Sequence, residues 1–418
     1  MEQFNLYKDI ATRTGGDIYI GVVGPVRTGK STFIKRFMDE MVIPNIENDY
    51  GRERAKDELP QSATGTTIMT TEPKFVPNEA VSISLEGNVN FKVRMIDCVG
   101  YLVTGATGYM EGNEQRMVST PWSEDKMPFE EAAEIGTKKV INEHSTIGVV
   151  ITTDGSVTEI GRDDYIEAEE RVISELKAIG KPFVLIVNTL KPYAVEVTEM
   201  VTALSARHGV PVLALNCAQL KQEDINNIME KVLYEFPLKE LRIHLPKWIE
   251  TLSMDHWLKK HIIDFVKESL APVTRLRELK ENLMEGHESE FIKKISVEKI
   301  LMGEGSADIE ISVDANLFYK VLSETTGMHI ESDYQLISTI KVLSEAKREY
   351  DKVKYALEEV KQKGYGIVTP VLEEMRIEEP KIVKHGSKYG VKIKAAAPSI
   401  HVVRNKQKYR FCLLLFYI

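Results

Sequence analysis

The chain has 418 residues, of which 43% are hydrophobic and 28% charged, and its formal net charge at pH 7 is −9. This length allows two or three domains with cores of their own, so a small disulfide scaffold is excluded. The ordinary balance of hydrophobic and charged residues argues against wholesale disorder. The acidic balance also argues against a nucleic-acid partner.

Cysteine usage and hydropathy indicate the compartment. The chain has three cysteines, an odd number without metal-ligand spacing: Cys98, Cys217 and Cys412. This usage predicts a reducing, cytoplasmic environment. The N-terminal segment carries acidic residues and no long apolar core, and no run of about 18 apolar residues occurs. We therefore expect neither export nor a membrane-spanning helix.

The first 237 residues alternate apolar runs with helical patterns. A strand over residues 18–23 leads into a glycine-rich loop and a helix, and residues 81–96 predict a β-hairpin that ends at Asp97. Residues 44–65 and 101–127 lack periodicity and predict long loops. Further strands are predicted at residues 147–152, 182–187 and 212–215, with helices at 128–143, 168–179, 195–208 and 223–236. This order predicts an α/β fold with a doubly wound, mainly parallel sheet.

A second domain of mixed α+β character is predicted over residues 238–400. Its most periodic segment is residues 334–362, where Leu336, Leu343 and Tyr350 recur every seven residues. This pattern predicts one long helix, which either packs on its own domain or pairs between subunits.

The sequence Gly24-x-x-x-x-Gly29-Lys30-Ser31-Thr32 is a phosphate-binding loop. Glycines at Gly24 and Gly29 allow backbone N–H groups to surround phosphates at a helix N-terminus, and Lys30 would reach the β- and γ-phosphates. Ser31 would place its hydroxyl on Mg²⁺, which Asp97 would hold directly or through water.

The order of the elements resembles GTPase-like P-loop proteins of the translation-factor type. In those proteins a hairpin separates the phosphate loop from Asp-x-x-Gly, which is Asp97-Cys98-Val99-Gly100 here. A threonine that senses the γ-phosphate precedes that motif. Thr70 and Thr71 lie at the expected place, with Thr64, Thr66 and Thr67 as alternatives.

The base-reading sequence departs from that of a GTPase. Where a GTPase has Asn-Lys-x-Asp, this chain has Asn188-Thr189-Leu190-Lys191. A lysine has only donors, which suit the N1 acceptor of adenine and repel the guanine edge, so we predict ATP rather than GTP. Residues 216–218 follow the last strand and are either a base-contacting loop or a plain one.

The catalytic residues also depart from the GTPase pattern. Tyr101 occupies the position of the glutamine that orients the attacking water in many GTPases, which predicts slow turnover. Arg27 either neutralises transition-state charge in cis or faces solvent. A group from a neighbouring subunit is the other possible source of the missing catalytic contribution.

Four segments resemble the stage IV sporulation protein A family: residues 20–37 around the phosphate loop, 60–71 (Pro-Gln-Ser-Ala-Thr-Gly-Thr-Thr-Ile-Met-Thr-Thr), 95–101 (Met-Ile-Asp-Cys-Val-Gly-Tyr) and 108–112 (Gly-Tyr-Met-Glu-Gly). The resemblance extends from residue 1 to about residue 400. It implies an ATP-hydrolysing cytoskeletal protein that assembles on the forespore surface, in the mother-cell cytoplasm, as the base of the spore coat.

By the same resemblance, Lys30 is the Walker A lysine, Asp97 the Walker B aspartate, and Thr70 and Thr71 the sensor threonines. The implied partners are further copies of the chain, a small amphipathic peptide of the forespore membrane and other spore coat morphogenetic proteins. Membrane attachment would be peripheral only.

Residues 401–418 depart from the family pattern. They combine basic residues with the apolar end Phe-Cys-Leu-Leu-Leu-Phe-Tyr-Ile, which resembles a frameshifted or truncated terminus. The alternative is a membrane-surface tail that inserts shallowly.

Three functions fit these observations. The first is an ATPase whose slow hydrolysis accompanies self-assembly. The second is a regulatory GTPase switch without self-assembly, against which Lys191 and Tyr101 argue. In the third, nucleotide is only a structural ligand of a scaffold.

Overall fold

A computed structural model of the chain describes residues 5–60, 72–85, 89–111, 114–120, 123–279, 290–370 and 372–405. The chain divides into two compact units, Met1–Val313 and Asp314–Ile418. Within the described ranges, none of the helices has both the length and the apolar character that crossing a membrane requires.

The first unit contains both α-helices and β-strands. The helices are α1 (Leu6–Thr14), α2 (Lys30–Phe37), α3 (Asp49–Asp57), α4 (Phe129–Lys139), α5 (Ile166–Ala178), α6 (Val195–His208), α7 (Gln222–Tyr234), α8 (Lys247–Glu250) and α9 (Trp257–Leu270). The strands are β1 (Asp17–Val23), β2 (Lys74–Leu85), β3 (Val89–Asp97), β4 (Met110–Glu111), β5 (Glu114–Gln115), β6 (Met117–Thr120), β7 (Ser123–Pro128), β8 (Ile147–Thr153), β9 (Phe183–Asn188), β10 (Val212–Leu215), β11 (Glu240–His244), β12 (Ile292–Leu301) and β13 (Ser306–Val313).

A six-stranded sheet in the order β10-β9-β8-β1-β3-β2 forms the centre of this unit. All neighbours pair in parallel except β2, which runs antiparallel to β3. The predicted central parallel sheet is confirmed. Since β1, β3, β8 and β9 are parallel neighbours, the segments that follow them meet at one edge of the sheet, where ligands bind in open α/β folds.

Apolar side chains fill both faces of the sheet. On one face Ile10 of α1, Phe33 of α2 and Ile228 of α7 belong to one buried cluster, and on the other Ala132 of α4 and Val172 of α5 belong to a second. Strands buried on both sides read as continuous apolar runs, which is why β8 and β9 could be predicted from the sequence.

Two predicted loops contain regular structure. Residues 44–65 were expected to form a loop, but Asn48 caps α3 by accepting a hydrogen bond from the Tyr50 N–H, and Ala55 is buried. The charged composition of α3 gives no apolar period. Residues 101–127 contain the short pairs β4–β5 and β6–β7, which are too brief to show alternation.

The chain after Pro237 continues in the same unit. Strand β13 pairs in parallel with β11 and antiparallel with β12, and residues 276–279 are helical. Glu235, which is 1% exposed, accepts a hydrogen bond from Arg277 Nε at 2.6 Å and forms a second ion pair with Arg275. These ion pairs connect the end of α7 to the residues beyond 238. The predicted domain boundary between residues 237 and 238 stays a prediction.

The second unit is built on one long helix. It contains α10 (Ala315–Thr326), α11 (Asp333–Lys363), β14 (Tyr365–Val368), β15 (Arg376–Ile377), β16 (Lys381–His385), β17 (Lys388–Lys392), β18 (Ala395–Ala396) and β19 (Ile400–Val403). The long helix predicted at residues 334–362 is present as α11. Ala356 of α11 is buried. Strand β14 packs closely on the helix at this point, because a Cβ on Gly366 would lie 2.1 Å from the carbonyl oxygen of Ala356. Pairing between subunits stays a prediction.

Strand β19 includes the first residues of the predicted aberrant tail. Residues 400–403 pair antiparallel with β14, so the backbone is part of a sheet up to Val403. Cys412 and the rest of the tail from residue 406 lie outside the described residues.

The junction at Glu235 yields a stability prediction. Glu235→Ala leaves the guanidinium groups of Arg275 and Arg277 without their buried carboxylate, and we expect the free energy of unfolding to fall by about 3–5 kcal/mol. Urea unfolding followed by tryptophan fluorescence measures this change. Glu230→Ala, at an exposed position of α7, is the control and should differ little from the unsubstituted chain. Equal stability of the two variants would contradict the prediction.

Candidate nucleotide site

The phosphate loop connects β1, in the middle of the sheet, to α2. Gly24 has φ 141° and Gly29 has φ 95°, both in the region that favours glycine. A Cβ on Gly24 would lie 2.2 Å from the carbonyl oxygen of Ile151, and one on Gly29 would lie 2.3 Å from Asn188 Nδ2. The two glycines of the motif are therefore required by the close packing of the loop against β8 and β9.

Lys30 lies under the loop and is 5% exposed. Its ammonium donates to the carbonyl oxygens of Pro25 at 2.6 Å and Gly24 at 3.3 Å. Burial lowers the pKa of Lys30, the charges of Cys98 and Asp97 act to raise it, and the nearby charge of Arg27 lowers it further. Two positive groups thus lie at the loop, where they suit a polyanionic ligand.

Asp97 and Ser31 form the second part of the site. The Ser31 hydroxyl donates to Asp97 Oδ2 at 2.7 Å, and Asp97 is 2% exposed. Among the described residues Asp97 Oδ1 is buried without a hydrogen-bond partner. Burial raises the pKa of Asp97, and the Ser31 hydrogen bond and the charge of Lys30 offset this only in part. A hydroxyl beside a carboxylate with an open oxygen fits the oxygen ligands of Mg²⁺.

The Asp-x-x-Gly motif lies directly against the phosphate loop. Gly100 has φ 92°, and a Cβ there would lie 2.2 Å from the Gly24 carbonyl oxygen and 2.7 Å from Lys30 Nζ. The next residue, Tyr101, accepts a backbone hydrogen bond from Val26 N–H at 2.9 Å. A movement of this motif would therefore displace the phosphate loop or break its contacts with the loop.

The side chain of Tyr101 does not take the place of a water-orienting glutamine. It is 2% exposed, its hydroxyl donates to Glu175, and the Arg171 guanidinium lies 4.4 Å from the centre of its ring. Desolvation and the Glu175 hydrogen bond both raise the pKa of Tyr101. The hydroxyl is thus committed to a packed polar cluster.

Arg27 and Thr32 lie at the two ends of the loop-to-helix turn. Arg27 has φ 63°, a left-handed conformation that is uncommon outside glycine, and burial lowers the pKa of its guanidinium. Thr32 is half-buried in the first turn of α2. Of the predicted catalytic residues, Thr70 and Thr71, with their alternatives Thr64, Thr66 and Thr67, lie outside the described residues.

Asn188 links the phosphate loop to the turn that follows β10. Its Nδ2 donates to the carbonyl oxygen of Thr28 at 2.9 Å, and its Oδ1 accepts from the Cys217 N–H at 3.0 Å. Asn216 accepts from the Ala218 N–H at 3.0 Å, so residues 216–218 form a capped turn beside Asn188. Lys191 is exposed, three residues beyond Asn188.

Comparison with known families identifies the family of the chain. Residues 1–237 match the family described as Stage IV sporulation protein A, ATPase domain, and residues 238–409 match its middle domain. The chain belongs to the stage IV sporulation protein A family. It is 53% identical to Stage IV sporulation protein A of Clostridioides difficile (strain 630), over 96% of this chain and 82% of that protein. It is 49% identical to the protein of the same name of Bacillus subtilis (strain 168), over 97% of this chain and 82% of that protein.

A search of solved structures adds little to the family assignment. The chain is similar to the crystal structure of SsGBP in complex with GDP at 12% identity, a TM-score of 0.29 and coverage of 51% of this chain and 48% of that one. This similarity is too low to support a statement about either fold or ligand. The chain is therefore a sporulation protein of this family with an ATPase domain, and the roles of its individual residues are proposals.

Asp154 is a polar residue of this stage IV sporulation protein A family member that the sequence patterns above do not single out. It follows β8, and its Oδ2 accepts from the Thr189 hydroxyl at 2.6 Å, beside the predicted base-reading residues. A carboxylate at the carboxyl end of a central parallel strand was the available signal.

The buried carboxylate of this family member yields a pH-dependent prediction. Because the pKa of Asp97 is raised, the folded state binds its proton more tightly than the unfolded state, and stability is lost as the pH rises above the ordinary carboxyl pKa. Asp97→Asn cannot ionise. We therefore expect this variant, without nucleotide and with EDTA, to melt at a higher temperature than the unsubstituted chain at neutral pH. The difference should shrink towards about pH 4.

Thermal melting at a series of pH values measures the effect. Asp255→Asn, at an exposed position, is the control and should not show the same pH dependence. A lower melting temperature for Asp97→Asn at neutral pH would contradict the prediction.

Proposed function

We propose that this chain is an ATP-hydrolysing morphogenetic protein that assembles with copies of itself on the forespore surface and forms the basement layer of the spore coat. The observation that carries the enzymatic part is the set of buried Lys30, half-buried Ser31 and buried Asp97 around one glycine loop. A hydroxyl beside a carboxylate whose second oxygen has no partner among the described residues suits Mg²⁺ on the phosphates, which phosphoryl transfer requires.

The proposed nucleotide is ATP. Lys191 presents an ammonium beyond Asn188, and adenine offers an acceptor at N1 where guanine carries a hydrogen. The family match to an ATPase domain supports the same choice. We assign Asn188 and Lys191 to the base side of the site, and Gly24, Gly29, Lys30, Ser31 and Thr32 to the phosphate side.

The proposed mechanism is phosphoryl transfer to water. Ser31 and Asp97 would hold Mg²⁺, which neutralises charge on the phosphates when it is bound. Lys30 would exchange its bonds to the loop carbonyls for the β- and γ-phosphates, and Arg27 would add a second positive charge. The proposed sensors are Thr70 and Thr71. Because the Tyr101 hydroxyl is committed to Glu175, we expect slow turnover unless another subunit supplies a group that orients water.

Assembly and location are proposed from family membership. The partners proposed are further copies of the chain, a small amphipathic peptide of the forespore membrane and other coat morphogenetic proteins. The location is the mother-cell cytoplasm at the outer surface of the forespore, with peripheral attachment only.

Hydrolysis of ATP and of GTP, measured over a series of protein concentrations with sedimentation in parallel, tests the proposal. We expect turnover that is specific for ATP, is lost in Lys30→Ala, and is accompanied by pelleting of the protein. Thr202→Val, at an exposed position of α6, is the control and should behave like the unsubstituted chain.

Each other outcome has a definite meaning. Equal use of GTP without pelleting would favour a regulatory GTPase, and nucleotide left unhydrolysed after long incubation would favour a scaffold with a structural ligand. ATP turnover without pelleting would contradict self-assembly by this chain and leave the ATPase intact.

The role of Arg27 has its own test. Arg27→Ala should lower kcat by on the order of 100-fold, because a charge near the transferred phosphate is lost, while ATP binding changes little. Arg27→Gly, which adopts φ 63° without strain, should lose the same activity. Arg54→Ala on α3 is the control. Unchanged turnover in both Arg27 variants would show that Arg27 has no catalytic role.

A further inference from the structure

A polar network connects the carboxyl ends of β8 and β9 beyond the residues assigned so far. The Ser156 hydroxyl donates to Asp154 Oδ1 at 2.6 Å, and the Thr189 hydroxyl donates to Asp154 Oδ2 at 2.6 Å. Oδ1 also accepts from the Thr153 hydroxyl at 3.4 Å, so the carboxylate orients hydroxyls with both of its oxygens. The Ser156 N–H adds a further bond to Oδ1 at 2.9 Å.

The Ser156 and Thr189 hydroxyls in turn each accept one backbone N–H of the base-reading segment. Ser156 Oγ accepts from Leu190 N at 3.0 Å, and Thr189 Oγ1 accepts from Lys191 N at 3.1 Å. Two successive backbone amides are thus fixed through one carboxylate. Leu190 and Lys191 are themselves exposed, and this network holds their amides. It acts together with the hydrogen bond that the Lys191 carbonyl oxygen accepts from the Ala194 N–H at 3.1 Å.

The network also connects to the phosphate side of the site. Thr153 pairs with Asn188 in the register of β8 and β9, and Asn188 is bonded to the phosphate loop at Thr28. The segment that carries Lys191 is therefore held at one end by the sheet and along its length by Asp154. Burial acts to raise the pKa of Asp154, but the hydrogen bonds from Ser156 and Thr189 outweigh it and the pKa lies below its ordinary value.

We propose that Asp154 is a positioning residue for nucleotide specificity: through Ser156 and Thr189 it fixes the backbone of Leu190 and Lys191, so that the Lys191 ammonium is presented to an adenine and the loop does not shift to admit a guanine. This inference rests on the proposed ATPase function. It assigns the selection of the base to a carboxylate that does not need to contact the nucleotide.

The physical reason is the conformational freedom of the loop that carries Lys191. A lysine on an unrestrained loop withdraws easily from the N1 hydrogen of guanine, so that the base is no longer excluded. When the backbone of Leu190 and Lys191 is fixed, only rotation of the side chain can move the ammonium, and any larger displacement of the loop breaks a hydrogen bond, which makes the wrong base costly. Discrimination between the bases then depends on the two hydroxyls as well as on Lys191.

Steady-state kinetics with ATP and GTP on matched variants tests the inference. Thr189→Val keeps the shape of the side chain and removes the hydroxyl, while Thr189→Ser keeps the hydroxyl. We expect Thr189→Val to raise KM for ATP about tenfold and to reduce the preference for ATP over GTP by a similar factor, with a much smaller effect on kcat. Thr189→Ser should restore both values.

Two further variants keep the test decisive if Thr189→Val folds poorly. Ser156→Ala, at an exposed position, removes the other hydroxyl, and Asp154→Asn removes the charge that orients both. We expect both to lower the preference for ATP, and the effects of Asp154→Asn and Thr189→Val not to add in the double variant because they act through one network. Thr202→Val, which removes an exposed hydroxyl bonded only to its own helix at Thr198, is the matched control.

The outcomes separate this inference from the proposed function. If the unsubstituted chain does not prefer ATP, the proposed function fails. If it prefers ATP, and Thr189→Val and Ser156→Ala both retain that preference and KM, the proposed function stands and the positioning role of Asp154 is wrong. A fall in kcat alone, with the preference unchanged, would also overturn the inference, because a general loss of structure would have that effect.

Discussion

The burial of the Lys30 ammonium beside the Asp97 carboxylate is the constraint on which the site depends. Two ionisable groups are removed from water at one loop, and each loses hydration that the protein must replace. For Lys30 the replacement is the pair of carbonyl oxygens at Gly24 and Pro25, and for Asp97 the described residues provide the Ser31 hydroxyl. Within the described part of the chain one buried oxygen of this carboxylate has no hydrogen-bond partner. A cation with phosphate oxygens would supply what both groups lack.

Direct contacts between neighbouring segments hold the site together. Asn188 is bonded at once to the phosphate loop and to Cys217, and Gly100 lies against the Gly24 carbonyl with no room for a side chain. Movements of the Asp-x-x-Gly motif and of the base loop are therefore coupled to the phosphate loop through direct contact. Elsewhere in the first unit, the ion pairs of the buried Glu235 with Arg275 and Arg277 connect the end of α7 to the residues beyond 238.

Much of this arrangement could be predicted from residue patterns. The glycine spacing at Gly24 and Gly29, the apolar runs of β8 and β9, and Asp97 at the end of β3 each have a local physical cause that the sequence displays. Helix α3 could not be predicted, because its stability comes from an Asn48 cap and from packing of Ala55 and not from an apolar stripe. Asp154 was missed for a different reason. Its partners Ser156 and Thr189 come together only when β8 and β9 pair, which a reading along the chain does not show.

The most direct test of the account is a structure of the full chain with a non-hydrolysable ATP analogue and Mn²⁺ in place of Mg²⁺, with the metal located by its anomalous signal. The account predicts a single strong metal peak beside Ser31 Oγ and on the open side of Asp97. It also predicts that Lys30 Nζ has left the Pro25 carbonyl for the phosphates, and that the adenine ring lies next to Lys191. A metal peak away from Ser31 and Asp97, or a nucleotide bound while Lys30 remains bonded to the loop carbonyls, would contradict it.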